Sequence, residues 1–481
     1  MSQSARHWID GAWQSSGDTG CTVDVYRGTD NQIYHIGGAA EATQAIETAR
    51  RVFDRSSWAH APRLRAQVLH ELADAIAARS DEISTAIAVE NGKVLAHCAH
   101  ETNAAISESR YYAGLARAIF GRVQEIDEGK QSIFAHEPIG VAAIIVPWNA
   151  PSTLLIRSLG PALAAGCTVV IKGAHQTSGV NRIFAECLAA CASLPSGVVN
   201  IVHGDLEVAK TLCRHVDVDV VSFTGSSATG KAIMASGADT LKRMSLELGG
   251  KAPALVFGDA DMDIAVAEIA RGTIPHAGQM CTAIARVLVA EDAWDTFVPR
   301  LKSALQDVRV GDPFDSAVAM GPLFDLASAE RYQANLAAAR QAGTTVLDGH
   351  IASGHPRQNV VTPAIFEISD PTHRLVQEEL FAPLLMLERV ANEETAVASA
   401  NATRYGLAAS VYTTDHSRAR RVGRALKSGT VWINCHNRLF AEAETGGYRE
   451  SGMGRLHGLE GLSDFMETKH IYAEFGRLPQ G

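Results

Sequence analysis

Short apolar runs and segments of helical spacing take turns along the middle of the chain. The apolar runs predict strands at 141–146, 168–172, 199–203 and 218–223, and the segments between them predict helices at 154–165, 181–192 and 206–214. Alternation of this kind predicts a parallel, doubly wound sheet, because parallel neighbours need a crossover between them. A second alternating region, from about residue 251 to residue 434, predicts a second α/β unit.

The part of the chain before residue 139 carries a different pattern. Asp10-Gly11 predicts a tight turn between two short strands, since this pair tolerates positive φ. Helical spacing predicts a helix over 41–58 and a long helical region from Arg63, with Asn91-Gly92 as its stop. The stretch 120–137 predicts a hairpin that could pair across a subunit boundary.

Composition narrows the class of protein. A chain of 481 residues, 46% hydrophobic and 20% charged, is expected to fold into two or three packed units. The net charge of −10, with no basic block, argues against nucleic acid and anionic membrane surfaces as partners. The first ten residues show no signal pattern, and no apolar run is long enough to span a bilayer. The eight cysteines lack framework spacing, so we expect a reduced, cytoplasmic setting.

Glu247 and Cys281 both stand in glycine-rich settings that suit catalysis. A thiolate attacks carbonyl carbon and later leaves from a thioester, and a carboxylate can activate the water that hydrolyses that thioester. Taken singly, Cys281 would be an inert buried thiol and Glu247 a solvated surface charge. The neighbouring Gly249-Gly250 and Gly278 free the backbone to present both side chains into a cleft. With a nicotinamide site upstream, the pair predicts oxidation of an aldehyde through a thioester.

The segment 220–230 has the order of a phosphate-binding turn. A predicted strand enters Thr224-Gly225-Ser226, and a helix begins after it. Gly225 would let a pyrophosphate approach the backbone, and the helix start offers free N–H groups. The spacing is not the three-glycine dinucleotide fingerprint, so a packed βα turn remains an alternative.

Asn149 follows the predicted strand 141–146 and Pro147-Trp148. Ligands of open α/β sheets lie beyond the carboxyl ends of the strands, so the amide of Asn149 could stabilise a reacting oxyanion. The alternative is an asparagine that caps a turn after a proline.

Two other groups of His and Cys side chains could bind a metal or act in catalysis. His97, Cys98 and His100 suggest a metal, but on a helix Cys98 would point away from the two histidines and no fourth ligand is evident. We therefore predict no metal site. Cys435-His436 could form a second nucleophile and base, but adjacent residues of a strand point apart, which favours a packing or pocket-wall role.

Taken together these motifs resemble the aldehyde dehydrogenase superfamily, in its non-acylating, hydrolytic branch. The resemblance spans nearly the whole chain and rests on the segments 147–149, 223–226, 246–251, 278–281, 378–383, 401–407, 429–434 and 446–455. It implies an NAD- or NADP-dependent enzyme with a Rossmann-like, doubly wound cofactor domain, a second α/β catalytic domain and a β-hairpin flap for a homodimer or homotetramer. The domain bounds expected are 1–119 with 139–249 for the cofactor, 250–449 for catalysis, and 120–138 with 450–481 for the flap and the C-terminal segment.

The resemblance also implies residue roles. Cys281 would be the nucleophile, Asn149 and the backbone N–H of Cys281 would hold the oxyanion, and Glu247 would activate the deacylating water. Lys172 would bind the adenosine ribose, Ser226 the pyrophosphate and Glu379 the nicotinamide ribose. The cofactor set is completed by Trp148, His175, Gly225, Gly249 and Phe381, and the substrate pocket by Ala150, Leu154, Arg157, Met280, Thr282, Leu439 and Thr445.

His175 departs from the family pattern, which usually has a glutamate at this position and a proline where this chain has Gly173. That carboxylate grips the ribose hydroxyls and would repel a 2′-phosphate. Its loss, together with a partly protonated imidazole, leads us to hypothesise that NADP is at least tolerated.

The pocket departs as well. Ala150, Arg157, Leu439 and Thr445 stand at positions that are often aromatic in the family, so a wider pocket with one positive charge is expected. An arginine at this place resembles enzymes for succinic semialdehyde and for salicylaldehyde- or vanillin-like aromatics, although Pro275 lies where the semialdehyde enzymes have a second arginine. Alternatively, Arg157 pairs with an acid such as Glu442 and never meets the substrate.

Two rival functions stay open. An enzyme of the same fold could transfer the acyl group to coenzyme A, but the branch that does so commonly lacks the glutamate found here at Glu247. A non-catalytic protein could also reuse the fold, against which the intact Cys281, Glu247 and Asn149 argue.

Overall fold

The computed structural model describes residues 4–476. Its two largest sheets are mostly parallel and have eight and seven strands. The outermost residues of the predicted first and last segments, 1–3 and 477–481, lie outside the described residues. No helix within 4–476 is long and apolar enough to cross a membrane.

The N-terminal part forms four strands and four helices: β1 (His7–Ile9), β2 (Ala12–Gln14), β3 (Thr19–Val23), β4 (Asp30–His35), α1 (Ala39–Arg55), α2 (Pro62–Ala78), α3 (Ser80–Asn91) and α4 (Leu95–Leu115). The predicted turn at Asp10-Gly11 is confirmed, since β1 and β2 pair antiparallel around it. The helix predicted from Arg63 is in fact two helices, because Arg79 leaves helical geometry at φ −119° and ψ 19°. Its guanidinium pairs with Glu82 of the following helix and with Glu186, which lies in a later helix, both at 2.7 Å.

Next come the hairpin strands β5 (Arg122–Asp127) and β6 (Lys130–Pro138), followed by the alternating elements of the first sheet: β7 (Val141–Ile145), α5 (Pro151–Ala165), β8 (Thr168–Lys172), α6 (Ser178–Ala189), β9 (Val199–Ile201), α7 (Leu206–Arg214), β10 (Val220–Thr224), α8 (Ser227–Gly237) and β11 (Arg243–Glu247). The sequence-based prediction of a strand and helix alternation is confirmed here.

The second alternating region comprises β12 (Ala252–Val256), α9 (Met262–Thr273), β13 (Ile284–Ala290), α10 (Glu291–Gln306), α11 (Leu326–Ala342), β14 (Thr344–Leu347), β15 (Ala364–Glu367), α12 (Arg374–Gln377), β16 (Leu384–Val390), α13 (Glu393–Ala400), β17 (Ala408–Tyr412), α14 (His416–Ala425) and β18 (Thr430–Ile433). Two strands complete the chain: β19 (Gly452–Met453) and β20 (Met466–Glu474).

The first sheet has the order β19-β11-β10-β7-β8-β9-β1-β2. Its five central strands are parallel, and β19, β1 and β2 join antiparallel at the edges. Alternate residues of β7 enter opposite cores: Val141, Ala143 and Ile145 pack on one face, and Ala142 and Ile144 on the other. Both faces are therefore buried, as a doubly wound sheet requires.

The second sheet has the order β14-β15-β16-β13-β12-β17-β18 and is parallel except for β14. The fold class, two α/β units with a separate hairpin, is confirmed. The hairpin strands β5 and β6 form a third, antiparallel sheet with β20, and Phe120, Val123 and Ile126 of this hairpin region are exposed. A role of this surface in assembly stays a prediction, as do the domain bounds.

Candidate active site

Four predicted site residues lie at the carboxyl edge of the first sheet. Asn149 follows β7, Lys172 ends β8, Ser226 follows β10 and Glu247 ends β11. These four strands are parallel neighbours, and their register places Thr224 opposite Glu247. The sheet therefore presents all four side chains at one edge, where open α/β sheets bind ligands.

The loop that carries Cys281 has an unusual backbone. His276, Ala277 and Gly278 all have positive φ, at 51°, 52° and 72°. A left-handed conformation costs a non-glycine residue roughly 1–2 kcal/mol, so surrounding contacts must hold the first two. His276 Nε2–H donates to the Asn91 carbonyl at 2.9 Å. At Gly278 a Cβ would lie 2.5 Å from the Ala382 carbonyl carbon, so only glycine fits.

Two other segments flank this loop. The side-chain amide of Asn149 donates to the Gln279 carbonyl at 3.1 Å. On the other side, a Cβ on Gly250 would lie 2.5 Å from the Cys281 carbonyl oxygen, so the segment after Glu247 passes directly against Cys281. The structure thus brings Cys281, Asn149 and Glu247 together around one loop. The side-chain NH₂ of Asn149 has two N–H donors. One donates to Gln279, which leaves the other for a reacting oxygen.

Burial controls the protonation of the two reactive groups. It raises the pKa of Cys281 to about 12, with the positive charge of Arg157 acting in the opposite direction. Burial also raises the pKa of Glu247, which is 4% exposed, while Arg157 and then His457 favour its ionised form. At neutral pH the thiol of the free protein is therefore protonated, and the carboxyl holds a proton more strongly than an exposed glutamate does.

Arg157 lies on α5 and is only 6% exposed. Its Nη2 donates to Thr224 Oγ1 at 3.3 Å, and its Nε has no hydrogen-bond partner. Within residues 4–476 it forms no ion pair, and Glu442 is exposed, so the pairing that we considered between these two residues is not present. A buried guanidinium without a carboxylate is unusual, because desolvating the charge is costly.

The loop of Asn149 rests on a buried ion pair that the sequence did not reveal. Lys93 Nζ donates to the Asn149 carbonyl at 2.9 Å and pairs with Glu101. Glu101 Oε1 in turn accepts from the backbone N–H of Ser152 at 2.9 Å. No local motif signals this contact, since the partners lie 56 and 51 residues apart.

Glu379 lies against the glycines that follow Glu247. Its Oε1 accepts from the Gly250 N–H at 3.1 Å, and burial raises its pKa to about 7. A Cβ on Gly249 would displace the Glu379 carboxylate from its present position, so glycine lets the two approach closely. A carboxylate held beside free backbone in this way can accept the hydroxyls of a ribose.

The aromatic ring of Trp148 links the two sheets. It stacks on Phe324, with centroids 4.1 Å apart, and meets the edge of Phe381 at 6.0 Å. Phe381 itself has a positive φ of 53°, which fixes its ring in this cluster. Phe324 was not anticipated from the sequence.

Gly225 and Ser226 form the start of α8. The Ser226 side chain caps the helix by accepting from the Thr229 N–H at 3.2 Å. A Cβ on Gly225 would collide with the ring of Phe223, so the turn stays open to a ligand only with glycine there. Free N–H groups and the positive end of an α-helix fit a pyrophosphate.

Beyond β8, His175 does not stand free. Its Nδ1 lies 3.3 Å from Asp205 Oδ1, and its ring stacks on Tyr34 with centroids 5.9 Å apart. Burial lowers the pKa of His175, which disfavours the protonated imidazole in the free protein. A contribution of His175 to NADP tolerance stays a prediction. Asp205 precedes α7, and its carboxylate makes no cap hydrogen bond to that helix.

The remaining predicted pocket residues have different surroundings. Met280 and Thr282 flank Cys281, and Ala150 precedes α5. Leu154 is buried in the core of the first unit, Leu439 is 38% exposed, and the backbone of Thr445 pairs with that of Leu456. The structure thus places Met280 and Thr282 directly beside Cys281, and Leu439 at the surface.

Cys435 and His436 follow β18 and do not lie within a strand, which corrects the reason given for their roles. His436 is buried, accepts from Ser410 Oγ at 2.6 Å and donates to the Thr282 carbonyl at 2.8 Å. Both ring nitrogens are occupied, so His436 supports the loop of Cys281. As for metals, no group of three His, Cys, Asp or Glu side chains in the described part of the chain could hold an ion.

Comparisons with known proteins agree with this geometry. The model of the aldehyde dehydrogenase family matches residues 13–471. Aldehyde dehydrogenase 1 of Tanacetum cinerariifolium is 36% identical over 465 residues, covering 95% of this chain and 92% of the relative. The NADP/NAD-dependent aldehyde dehydrogenase PuuC of Escherichia coli is 37% identical over 441 residues, covering 91% and 88%. A crystal structure of betaine aldehyde dehydrogenase from Staphylococcus aureus in complex with NAD+ superposes with a TM-score of 0.95 at 32% identity, covering 99% and 96%.

Fold and sequence together define an oxidoreductase of the α/β class. The chain belongs to the aldehyde dehydrogenase family, since the family model covers nearly all of it.

Proposed function

We propose that the protein oxidises an aldehyde to a carboxylic acid, with NAD or NADP as acceptor, through an acyl thioester on Cys281. The observation that carries the proposal is the position of the Cys281 loop, between the amide of Asn149 and the segment that follows Glu247.

In the first half-reaction the Cys281 sulfur adds to the carbonyl carbon, and the aldehyde oxygen becomes an oxyanion. The free amide N–H of Asn149 and the backbone N–H of Cys281 stabilise that charge. Burial raises the pKa of the thiol to about 12, so its proton passes to water as the sulfur attacks, and the nearby charge of Arg157 favours the thiolate. A nicotinamide dinucleotide, when bound, would accept the hydride that leaves the tetrahedral carbon, and the carbonyl bond re-forms as the thioester.

In the second half-reaction Glu247 takes a proton from water, whose oxygen attacks the thioester carbon. The carbon–sulfur bond then breaks, and Cys281 leaves as a thiolate. Burial suits Glu247 to this role, because a raised pKa makes it a stronger base than an exposed glutamate. No coenzyme A is needed in this cycle.

The residues on the cofactor side fit a dinucleotide. We assign the pyrophosphate to the start of α8 at Gly225-Ser226, the adenosine ribose to Lys172, and the nicotinamide ribose to Glu379. Trp148 and Phe381 wall the nicotinamide side.

We further propose that Asp205 supplies the carboxylate that position 175 lacks. It lies beside His175, and its negative charge also raises the pKa of Lys172 against the lowering effect of burial. A carboxylate here accepts ribose hydroxyls and repels a 2′-phosphate. The expected outcome is use of both cofactors, with NAD preferred.

The change Asp205→Asn tests this assignment. Removing the charge should raise the ratio of kcat/KM with NADP to that with NAD by about tenfold, equivalent to about 1.4 kcal/mol. Steady-state rates with each cofactor measure the ratio. The matched control is Glu207→Gln, an exposed acid two residues further on. An equal ratio in wild type and Asp205→Asn would remove Asp205 from cofactor selection.

The substrate class follows from Arg157. Its buried guanidinium has no carboxylate partner within residues 4–476, and its charge acts on both Cys281 and Glu247. A ligand that brings a negatively charged or strongly accepting oxygen would satisfy it. We therefore propose an aldehyde with such a group, either a semialdehyde or an oxygen-substituted aromatic aldehyde.

An aldehyde panel with Arg157→Met tests both the reaction and this class. Wild type should reduce NAD or NADP with aldehydes in the absence of coenzyme A, and the carboxylate- and hydroxyl-bearing members should have the highest kcat/KM. The substitution should lower kcat/KM for those members by about 10- to 100-fold, and for benzaldehyde and hexanal by less than about threefold.

Arg157→Lys serves as the control, because it retains the charge without the planar fork and should recover part of the preference. A uniform loss across the panel would show that Arg157 acts on the chemistry and not on recognition. Turnover that depends on coenzyme A would contradict the hydrolytic reaction.

A further inference from the structure

Five buried polar atoms near Glu247 have no hydrogen-bond partner in the protein. They are Glu247 Oε1, His457 Nε2, Glu108 Oε1, Arg157 Nε and Thr445 Oγ1. Buried polar atoms are normally paired, and sites with several such atoms hold ordered water that bridges them. Ordered water is therefore the partner that these five atoms call for.

Backbone pairing holds several of these residues together. Glu247 pairs across to Gly452 of β19, five residues before His457 in the chain. Thr445 exchanges two backbone hydrogen bonds with Leu456, at 2.9 and 3.0 Å, which places it next to His457. His457 is close enough to Glu247 that a positive charge on its ring would favour the carboxylate.

His457 and Glu108 form a buried pair. His457 Nδ1 lies 2.8 Å from Glu108 Oε2, and both side chains are 4% exposed. With Nδ1–H donated to the carboxylate, Nε2 of the neutral ring carries a lone pair that can accept a proton. His457 also has a positive φ of 62°, an unfavourable conformation that contacts on both sides maintain. Gly461 N–H donates to its carbonyl at 3.1 Å, and Gly458 N–H donates to the Ala441 carbonyl at 2.8 Å.

The proposed deacylation requires a base that can take a proton from Glu247. In every cycle Glu247 gains a proton from water and must lose it before the next thioester is hydrolysed. Glu247 is almost fully buried, which restricts direct exchange with solvent. A neighbouring base paired with a carboxylate can take the proton, since the resulting imidazolium is stabilised by its partner.

We propose that His457, positioned by Glu108, accepts the proton that Glu247 removes from the deacylating water, through ordered water between them. The proton leaves a Glu247 oxygen and forms an N–H bond at His457 Nε2, which restores the carboxylate. The imidazolium then releases it to solvent, and no electron is transferred in this step. His457 is thus a positioning and relay residue, and the inference rests on the proposed function.

Several charged groups face this pair and contribute to any pH dependence. They are Tyr112 on α4, Arg157 on α5, Glu247 on β11, and Glu444, Arg455 and Asp464 in the C-terminal part of the chain.

The test compares one hydrolysis of the acyl-enzyme with repeated turnover, both without cofactor. For the single event each variant is acylated with p-nitrophenyl acetate and desalted, and the mass of the protein follows the loss of the acetyl group. For repeated turnover the steady-state release of p-nitrophenolate is measured over a range of pH. His457→Asn removes the base and suits the left-handed backbone, which asparagine tolerates. Glu108→Gln keeps the shape but removes the stabilising charge.

Both variants should hydrolyse a single acyl group at the wild-type rate, because that event needs no reset of Glu247, but their steady-state turnover should be at least about tenfold slower at pH 7. This turnover should rise with pH through a range in which the wild-type turnover is level, because hydroxide then takes the proton from Glu247. A structural role alone would not produce this difference between the two measurements.

His203→Asn is the matched control. His203 is also buried with an unpartnered Nε2, but it follows β9, four strands from β11 and so about 19 Å away across the sheet. It should match wild type in both measurements. Wild-type steady-state turnover in His457→Asn and Glu108→Gln would overturn the relay, as would equal slowing of the single hydrolysis and of the turnover. Failure of wild type to acylate at Cys281 would overturn the proposed function itself.

Discussion

Replacing Cys281 with alanine is expected to lower kcat/KM for aldehyde oxidation by at least about 10⁴-fold. The sulfur forms the bond to the aldehyde carbon, and no neighbouring group can replace it in that role. Steady-state reduction of NAD or NADP measures the loss. Thermal unfolding should change little, because Cys281 is only half-buried.

Cys435→Ala is the control for this substitution. Cys435 is the second half-buried cysteine and packs against the same apolar cluster as Cys281. Its removal should leave kcat/KM within about threefold of wild type. If Cys435→Ala abolished oxidation while Cys281→Ala retained it, the nucleophile would be misassigned.

Replacing Glu247 with glutamine is expected to separate the two half-reactions. Acylation should still produce one equivalent of reduced cofactor, but steady-state turnover should fall on the order of 100-fold or more, because the amide cannot take a proton from water. Stopped-flow absorbance of the reduced cofactor resolves the rapid burst from the slow phase.

The matched control is Glu442→Gln, which removes an exposed carboxylate from the loop near the predicted pocket. It should behave as wild type in both phases. A Glu247→Gln variant that lacks the burst would place Glu247 in the activation of the thiol and not in hydrolysis of the thioester.

Much of the fold could be predicted because local pattern and tertiary structure agree. The strand β8 and the helix α7 were predicted at their observed bounds, since apolar runs or helical spacing end there at Lys172 and Arg214. The break between α2 and α3 was missed. The apolar stripe continues through it, and Arg79, where the helix breaks, pairs with Glu186, a residue distant in the sequence.

The candidate site divides in the same way. Cys281, Glu247 and Asn149 stand out because glycines or a proline mark their turns. The residues that hold the site in place could not be predicted, because their contacts join positions far apart in the chain: Lys93 with Asn149, and Asp205 with His175.

Arg157 shows most clearly what the sequence alone leaves open. Its position along the chain suggested two outcomes, a substrate contact or an ion pair with Glu442. The packing of α5 against the first sheet excludes the ion pair, since it buries the guanidinium beside Thr224 and leaves Glu442 in solvent, and the substrate contact stays a prediction.

The most direct test of the central claim is the mass of the Glu247→Gln protein after reaction with an aldehyde and NAD, quenched in acid and digested. The account predicts a single acyl adduct, with the mass of the substrate's acyl group, on the peptide that contains Cys281. Reduced cofactor formed without any adduct, or an adduct on another cysteine, would contradict it.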